Sequence, residues 1–121
     1  MDDWSVLLHT RPNMLVIGRG VAADAFIRTV TPLSQSPVQS LVCSALPSGL
    51  PAEGTLILRD VDALDSDQQQ RLLRWLDEPQ PSHTQVISIA ATPLYLLVQA
   101  GTFSDQLYYR LNVIHFEVIS D

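Results

Sequence analysis

Arg110 is the residue of this sequence whose type and setting most directly suggest chemistry. It lies in residues 105–113, which read DQLYYRLNV and have the pattern of a helix that runs into a strand. Two tyrosines and two leucines flank the arginine, and these neighbours favour a fixed arginine with a specific partner over a solvated surface charge. The planar guanidinium donates hydrogen bonds in a fixed fork, which suits a phosphate or a carboxylate on a neighbouring subunit.

The charged residues argue against a nucleic-acid-binding surface. The chain has 7 Lys+Arg against 13 Asp+Glu, a net charge of −6. Every cation is an arginine, scattered at positions 11, 19, 28, 59, 71, 74 and 110, and there is no lysine. DNA binding depends on neutralising phosphates, so we expect no direct DNA contact by this domain. The absence of lysine also removes the usual phosphate-binding lysine and Schiff-base chemistry.

Cysteine and histidine offer little further chemistry. The single cysteine, Cys43, excludes an internal disulfide and fits a reducing cytoplasm, and we expect a buried, unreactive thiol. His9, His83 and His115 lack the spacing of a metal site, so no metal is expected. Two aspartates follow Met1 and no apolar run could span a bilayer, which predicts a cytoplasmic protein without a signal peptide or membrane contact.

The elements that would position these residues alternate between strands and helices. Apolar runs predict strands at 14–17, 38–44, 55–58, 85–91 and 113–118. Helices are predicted at 4–10, 22–30, 66–78, 94–100 and 104–111, with a capping box of Ser66 and Gln69 at the third. The alternation predicts one α/β domain over residues 1–121, a three-layer sandwich around a mainly parallel five-stranded sheet.

Four segments, in this order, resemble the AAA+ domain of sigma-54-dependent transcription activators. Residues 42–47 (VCSALP) are similar to that family's NCAALP, and residues 54–61 (GTLILRDV) are similar to its Walker B strand, GTLFLDEI. Residues 70–74 (QRLLR) are similar to QAKLLRVL, and residues 90–92 with 105–113 are similar to AAT and DLYYRLNV. The resemblance runs from residue 13 to 118 and implies a P-loop NTPase fold of the AAA+ type.

The nucleotide-binding residues implied by this resemblance are replaced in the chain. A P-loop cradles phosphates with backbone N–H groups of a glycine-rich turn and adds one lysine. Residues 18–25 read GRGVAADA, so Gly18 fits the first glycine, Ala23 stands at the second and Asp24 at the lysine. Two interpretations follow: a nucleotide site rescued by Arg19, or an ordinary strand-to-helix turn. The vestigial positions are Gly18, Arg19, Gly20 and Asp24.

The metal-binding and sensor positions are altered as well. Magnesium and water activation require adjacent carboxylates after the Walker B strand, whereas this chain has Arg59 and Asp60. We expect Asp60 to pair with Arg59 or to cap a turn, which leaves both as vestigial catalytic positions. Pro93 follows AAT, where the family has a polar sensor. Asp60 also resembles the phosphoacceptor of a receiver domain, but the missing lysine and the missing acid pair after the first strand argue against that fold.

The family's pair of arginines is reduced to one. Ser104 occupies the first position and Arg110 the second. Arg110 has two interpretations, a finger that reaches a nucleotide on the next subunit or a structural arginine that pairs with a carboxylate. Tyr108 and Tyr109 are expected to be core and interface aromatics, since no basic groove surrounds them for base stacking.

Two larger elements of the family are missing from this sequence. The family's GAFTGA loop, which contacts the sigma factor, would lie between the second and third strands, where residues 47–54 leave no room for it. The sequence also stops just past the fifth predicted strand, so we expect the helical lid to be absent.

These features predict a domain of a bacterial transcription regulator that has no ATPase activity and acts through protein–protein contacts. The expected partners are AAA+ subunits or other domains of the same regulator. They would be bound through Arg110, Tyr108 and Tyr109. The sequence leaves open whether the protein forms an oligomer. No cofactor is expected. The alternatives are a module that holds ATP and magnesium without turnover, and a subunit of a mixed ring that supplies Arg110 in trans.

Overall fold

A sheet of five parallel strands forms the centre of the part of the chain that the structure describes. This computed structural model describes residues 11–43, 50, 53–78 and 84–118. The strands are β1 Met14–Ile17, β2 Val38–Val42, β3 Gly54–Arg59, β4 Thr84–Ala90 and β5 Ile114–Glu117. Their order is β2-β3-β4-β1-β5, and every neighbouring pair runs parallel. The predicted sheet is confirmed, because continuous apolar runs suit parallel strands that are covered on both faces.

In the same residues, four short helices connect the strands. They are α1 Gly20–Val30, α2 Ser66–Asp77, α3 Leu94–Gln99 and α4 Asp105–Leu111, with 3-10 turns at Thr31–Leu33 and Val61–Ala63. None of the helices in the described residues has the length and apolar character needed to cross a membrane. The predicted helix at 4–10 and most of the predicted loop at 47–54 lie outside the described residues.

The two faces of the sheet bury separate hydrophobic clusters, because successive side chains of a strand point to opposite sides. On one face α1 buries Ala23, Phe26 and Val30 against β1, β3 and β4. On the other face α2, α3 and α4 bury leucines against the same strands; these are Leu72, Leu94, Leu107 and Leu111. Helices on both faces produce the predicted three-layer sandwich.

The strand register brings the carboxyl ends of β1, β4 and β5 to one edge. Ile17 lies beside Ala90 of β4 and Glu117 of β5. Pairing continues past β1, since the Gly18 N–H donates to the Ala90 carbonyl and the Val118 N–H donates to the Ile17 carbonyl, both at 2.9 Å. Open α/β sheets bind their ligands at this kind of edge.

Asn13 ties the amino end of the sheet to the end of α4. Its Nδ2 donates to the Arg110 carbonyl at 3.1 Å, and its Oδ1 accepts from the Val86 N–H at 2.9 Å. The fully buried Gln85 donates from Nε2 to the Pro12 carbonyl at 2.8 Å. These bonds hold the end of α4, with Arg110, at the edge opposite to the carboxyl ends of the strands.

A capping box opens α2 one residue earlier than predicted. Asp65 Oδ1 accepts from the Gln68 N–H at 2.8 Å, and Gln68 Oε1 accepts from the Asp65 N–H at 2.9 Å. The predicted box of Ser66 and Gln69 is wrong, because aspartate and serine both favour this position and the run of glutamines offers two registers. Gln69 is instead buried, where its Oε1 accepts from the Ser104 N–H at 2.8 Å.

Candidate functional site

The turn between β1 and α1 is very short. Only Gly18 and Arg19 separate Ile17, the last residue of β1, from Gly20, the first residue of α1. Arg19 has extended backbone angles of φ −148° and ψ 164°, and its side chain does not cap the helix. In a P-loop, a longer glycine-rich segment between the strand and the helix surrounds the phosphates. The turn between β1 and α1 is therefore shorter than a P-loop.

Packing and backbone conformation account for both glycines of this turn. A Cβ on Gly18 would lie 2.1 Å from Val118 Cγ2 and 3.2 Å from the Val118 carbonyl oxygen. Gly20 has φ +61°, a left-handed value that glycine adopts without steric cost. Each glycine therefore has a role in the strand-to-helix turn that requires no ligand.

Asp24 and Arg59 form an ion pair across the predicted nucleotide site. Arg59 Nη2 lies 2.5 Å from Asp24 Oδ1, and the two side chains are 41% and 48% exposed. Ala23, which the sequence places at the second glycine, is buried between α1 and the sheet. The predicted pairing of Arg59 with Asp60 is wrong. Arg59 lies on the same face of β3 as Ile57, the face that α1 covers, and so it meets Asp24.

Asp60 shapes the turn after β3 through its backbone. It has left-handed angles of φ 59° and ψ 43°, and its carbonyl accepts from the Ala63 N–H at 2.9 Å. Its carboxylate makes no capping bond to the 3-10 turn that follows. In that turn Asp62 Oδ2 accepts from the Thr92 N–H at 3.3 Å. Beyond the paired strands, the side chain of Asp62 therefore connects the turn after β3 to the turn after β4.

Cys43 lies fully buried close to these two aspartates. Burial raises the pKa of the Cys43 thiol to about 12, with smaller contributions from the carboxylates of Asp60 and Asp62. A thiol with that pKa is protonated near neutral pH and is a poor nucleophile. The prediction of a buried, unreactive cysteine agrees with this environment.

Within the described ranges, no three or more histidine, cysteine and carboxylate side chains are grouped so that they could hold a metal ion. A magnesium ion at the end of β3 would meet the Arg59 guanidinium instead of a pair of carboxylates, so the residues present do not fit this metal. His115 lies on β5, with its Nε2 3.5 Å from Glu117 Oε1. His9 and His83 lie outside the described residues.

An open cleft of about 360 Å³ lies at the carboxyl ends of β1, β4 and β5. Its lining consists of Ile17, Gly18, Arg19, Ala91, Pro93, Glu117 and Val118. Arg19 and Glu117 give the cleft one charge of each sign, and Pro93 offers neither an N–H nor an amide side chain. Arg19 could therefore attract a small anion, but the cleft has no lysine and no phosphate-wrapping loop.

Arg110 binds the carboxyl end of α2. Its Nη1 forms an ion pair with Asp77 Oδ1, and its Nη2 donates to the Leu76 carbonyl at 2.6 Å. Asp77 is the last residue of α2, so the guanidinium bonds to a terminal carbonyl and complements the negative end of the helix dipole. This contact is the one that the structural interpretation of Arg110 requires. The finger interpretation stays a prediction.

Tyr108 and Tyr109 have different surroundings. Tyr108 packs against the leucine-rich cluster, and its Oη accepts from Asn112 Nδ2 at 3.1 Å. Tyr109 is 71% exposed, and Val113, four residues further along, is 58% exposed. We call these two residues the Tyr109–Val113 surface. It is apolar and lies beside Arg110 in the chain.

The predicted site residues fall into two groups at opposite ends of the sheet. One group lies at the carboxyl ends and consists of Gly18, Arg19, Gly20, Asp24, Arg59 and Asp60. The other group, Arg110 with Tyr108 and Tyr109, lies near the amino ends, where the Arg110 carbonyl is bonded to Asn13. Arg110 is thus remote from the Arg19 cleft of its own chain. The Asp24–Arg59 pair was not among the pairs predicted from the sequence, where its signal was the opposite charge of the two residues.

Comparison with known proteins places this architecture in a family. The Sigma-54 interaction domain family matches residues 22–119. Regulatory protein AtoC of Escherichia coli K12 is 40% identical over 73 residues, which cover 52% of this chain and 16% of AtoC. Transcriptional regulatory protein ZraR of the same strain is 42% identical over 77 residues, covering 55% of this chain and 18% of ZraR. The chain therefore spans only a small part of the length of these curated relatives.

Solved structures share the fold. NtrX from Brucella abortus, crystallised in complex with ATP, matches with a TM-score of 0.76 and 18% identity over 97% of this chain and 34% of the NtrX chain. The P-loop NTPase domain of a sigma-54 transport activator from E. coli matches with a TM-score of 0.65 and 19% identity, over 94% of this chain and 95% of that domain. At these identities the likeness concerns the fold alone, which is that of P-loop NTPases.

Proposed function

This chain belongs to the Sigma-54 interaction domain family, and we propose that it is a protein-docking domain of a transcription regulator that works without nucleotide. Its relatives AtoC and ZraR are regulatory proteins. Its fold is that of the P-loop NTPase domain of a sigma-54 activator. In this proposal the domain keeps the scaffold of its family and acts through its surface, not through ATP hydrolysis.

The two-residue turn between β1 and α1 is the observation that carries the proposal. In P-loop NTPases the backbone of the Walker A loop cradles the β and γ phosphates. Here only Gly18 and Arg19 are available for that purpose. The Gly18 N–H is already bonded to the Ala90 carbonyl at 2.9 Å. A polyphosphate would therefore find a shorter loop than the one that normally holds it, with the N–H group of Gly18 already bonded.

The charges around the turn support the same proposal. Asp24 brings a carboxylate to the helix that a P-loop uses for binding phosphate, and like charges repel. Arg59 brings a cation to the strand end that would hold the metal. Each of the two charges is bound by the other, at 2.5 Å. ATP and magnesium would each meet a charge of the wrong sign.

The Tyr109–Val113 surface is the docking site that we assign. Exposed aromatic residues are enriched in protein interfaces and often contribute most of the binding free energy. The neighbouring Arg110 bonds to the carboxyl end of α2 and so joins α4 to that helix. The net charge of −6 suits a protein partner better than a nucleic acid. The proposed partner is an AAA+ subunit of the same family or another domain of the same regulator.

Binding to the P-loop NTPase domain of the sigma-54 transport activator from E. coli tests this docking proposal. The two purified domains are titrated in the absence of nucleotide, and association is followed by sedimentation velocity. We expect saturable association, with a Kd that rises about tenfold or more in Tyr109→Ala because a contact aromatic is lost. Val21→Ala is the matched control, since Val21 is 73% exposed on α1, and its Kd should equal that of the unmodified domain. Absence of association would contradict docking onto an AAA+ subunit, and an equal loss in both variants would contradict the assignment of the Tyr109–Val113 surface.

A module that holds a nucleotide without turnover is the second candidate, and the cleft at Arg19 is the observation that favours it. Arg19 lines the cleft, and α1 has no side-chain cap and no acidic residue in its first turn. An exposed helix N-terminus beside an arginine attracts anions. This candidate differs from the docking proposal in one respect that can be measured, because it requires ATP to bind through Arg19.

A further inference from the structure

We propose that the Asp24–Arg59 ion pair is an internal latch, which takes over the bridging role that a nucleotide and its metal have in a P-loop ATPase. In such an enzyme, phosphates and Mg²⁺ lie between the helix that the Walker A motif opens and the acid that ends the Walker B strand. The latch joins the same two elements without a ligand. This inference rests on the proposed nucleotide-independent function and explains how α1 is held to the end of β3 without ATP.

The latch joins elements that are distant in sequence and adjacent in space. Asp24 lies in α1, and Arg59 is the last residue of β3, 35 positions further along the chain. The Nη2–Oδ1 distance of 2.5 Å corresponds to a direct, charge-assisted hydrogen bond. Ile57 lies on the same face of β3 and packs in the cluster that contains Ala23 and Phe26 of α1. The ion pair extends this apolar contact to the carboxyl end of β3.

Both charges of the latch have the reverse sign of those that a P-loop site uses. A P-loop ATPase has a cation on the helix and a carboxylate at the strand end, and the ligand lies between them. This chain has the carboxylate on the helix and the cation at the strand end. One reversal alone would leave two like charges facing each other, which repel. The two reversals together make a pair that attracts directly.

The latch acts where α1 has little other support. α1 buries Ala23, Phe26 and Val30 against the sheet, and its first turn has no side-chain cap. Asp24 is thus the polar side chain that ties the amino-terminal half of α1 to the sheet. Both partners are about half exposed, so the pair is expected to have a modest effect on global stability and to be weakened by salt.

A charge-swap series tests the latch. The proteins are the unmodified domain, Asp24→Asn, Arg59→Gln and the double variant Asp24→Arg with Arg59→Asp. Arg71→Gln is the matched control, because Arg71 is exposed on α2 and has no ion pair with any residue that the structure describes. Thermal unfolding gives Tm, and amide hydrogen exchange compares α1 with α2. We expect each single variant to lower Tm by about 2–5 °C and to increase exchange in α1 more than in α2.

The double variant should recover at least half of the lost Tm, and high salt should reduce the difference between the single variants and the unmodified domain. A Tm in the single variants equal to that of Arg71→Gln would overturn the latch. So would a double variant that recovers less than half. The docking proposal has a separate test. If the charge-swap series behaves as expected but the unmodified domain does not bind the P-loop NTPase domain of the E. coli activator, the docking proposal fails and the latch does not.

Discussion

The guanidinium of Arg110 meets two acceptors at the end of α2, the Asp77 carboxylate and the Leu76 carbonyl. The last carbonyls of a helix have no partner within the helix, and a cation there is favoured by the helix dipole. The planar fork of an arginine can reach both acceptors at once, which the single ammonium of a lysine does less well. A side chain used in this way contributes to the packing of α4 on α2 even if it never contacts a nucleotide.

Replacing Arg110 with alanine separates its two interpretations. We expect Arg110→Ala to lower the free energy of unfolding by about 1 kcal/mol, a value reduced for the 44% exposure of the side chain. Denaturant unfolding of Arg110→Ala, Asp77→Asn and the double variant should show non-additive losses, with Arg71→Ala as the control. Unchanged stability together with a lower ATPase rate in a partner would instead identify Arg110 as a finger that acts in trans.

The Cys43 thiol should be unreactive until the domain unfolds. Its pKa is raised from 9.0 to about 12, chiefly by burial, so the reactive thiolate is scarce in the folded state. A disulfide reagent such as dithionitrobenzoate should label Cys43 slowly near neutral pH and quickly in guanidinium chloride. Rapid labelling of the native domain would contradict the burial of this thiol.

The raised pKa of Cys43 also predicts how the stability of the domain depends on pH. Because the pKa of the thiol is higher in the folded than in the unfolded state, its contribution to stability is present below pH 9.0 and is lost as pH rises toward 12. Denaturant unfolding at several pH values measures this loss of stability, which the Cys43→Ala variant should not show.

At the scale of elements, apolar runs located strands and helices well, but local signals did not decide their first residues. Met14–Ile17 and Gly54–Arg59 are buried runs that few other structures could accommodate. The start of α1 at Gly20 was predicted two residues too late, since Gly18, Arg19 and Gly20 carry no cap residue that marks the boundary. That difference matters, because the length of this turn is the observation on which the proposed function rests.

The cap of α2 offers a matched pair of substitutions. Asp65→Ala removes the acceptor of the Gln68 N–H and should lower the free energy of unfolding by about 1 kcal/mol. Ser66→Ala, one residue later, should change it by only a few tenths, since Ser66 is exposed and lies inside the helix. Denaturant unfolding of the two variants measures the difference. A larger loss in Ser66→Ala than in Asp65→Ala would mean that the helix begins in the other register.

Across the molecule, the alternation of strands and helices predicted a mainly parallel sheet of five strands. It did not predict the strand order or the side-chain contacts between distant segments. Asn13 bonds to Arg110, 97 residues away, and Gln69 bonds to Ser104, 35 residues away. Such pairs depend on which faces meet in the folded state, and no local pattern encodes them. The Asp24–Arg59 pair belongs to the same class, although its opposite charges were visible in the sequence.

The molecule has the fold of a P-loop NTPase, and the residues at the carboxyl ends of its strands differ from those that the family resemblance implies. The sheet order and the three layers are intact. Two residues connect β1 to α1, and Arg59 ends β3 at the position where the family resemblance implies an acid. Two hydrophobic clusters stabilise this fold, and under the proposed function its surface binds a protein partner.

Thermal unfolding with and without Mg-ATP tests most directly the claim that this domain works without nucleotide. A ligand present at 100 times its Kd stabilises a folded protein by about 2.7 kcal/mol, which a melting curve resolves readily. We predict that millimolar Mg-ATP leaves Tm unchanged, both in the unmodified domain and in Arg19→Ala. A saturable rise in Tm that disappears in Arg19→Ala would contradict the claim and identify the cleft at the carboxyl edge as a working nucleotide site.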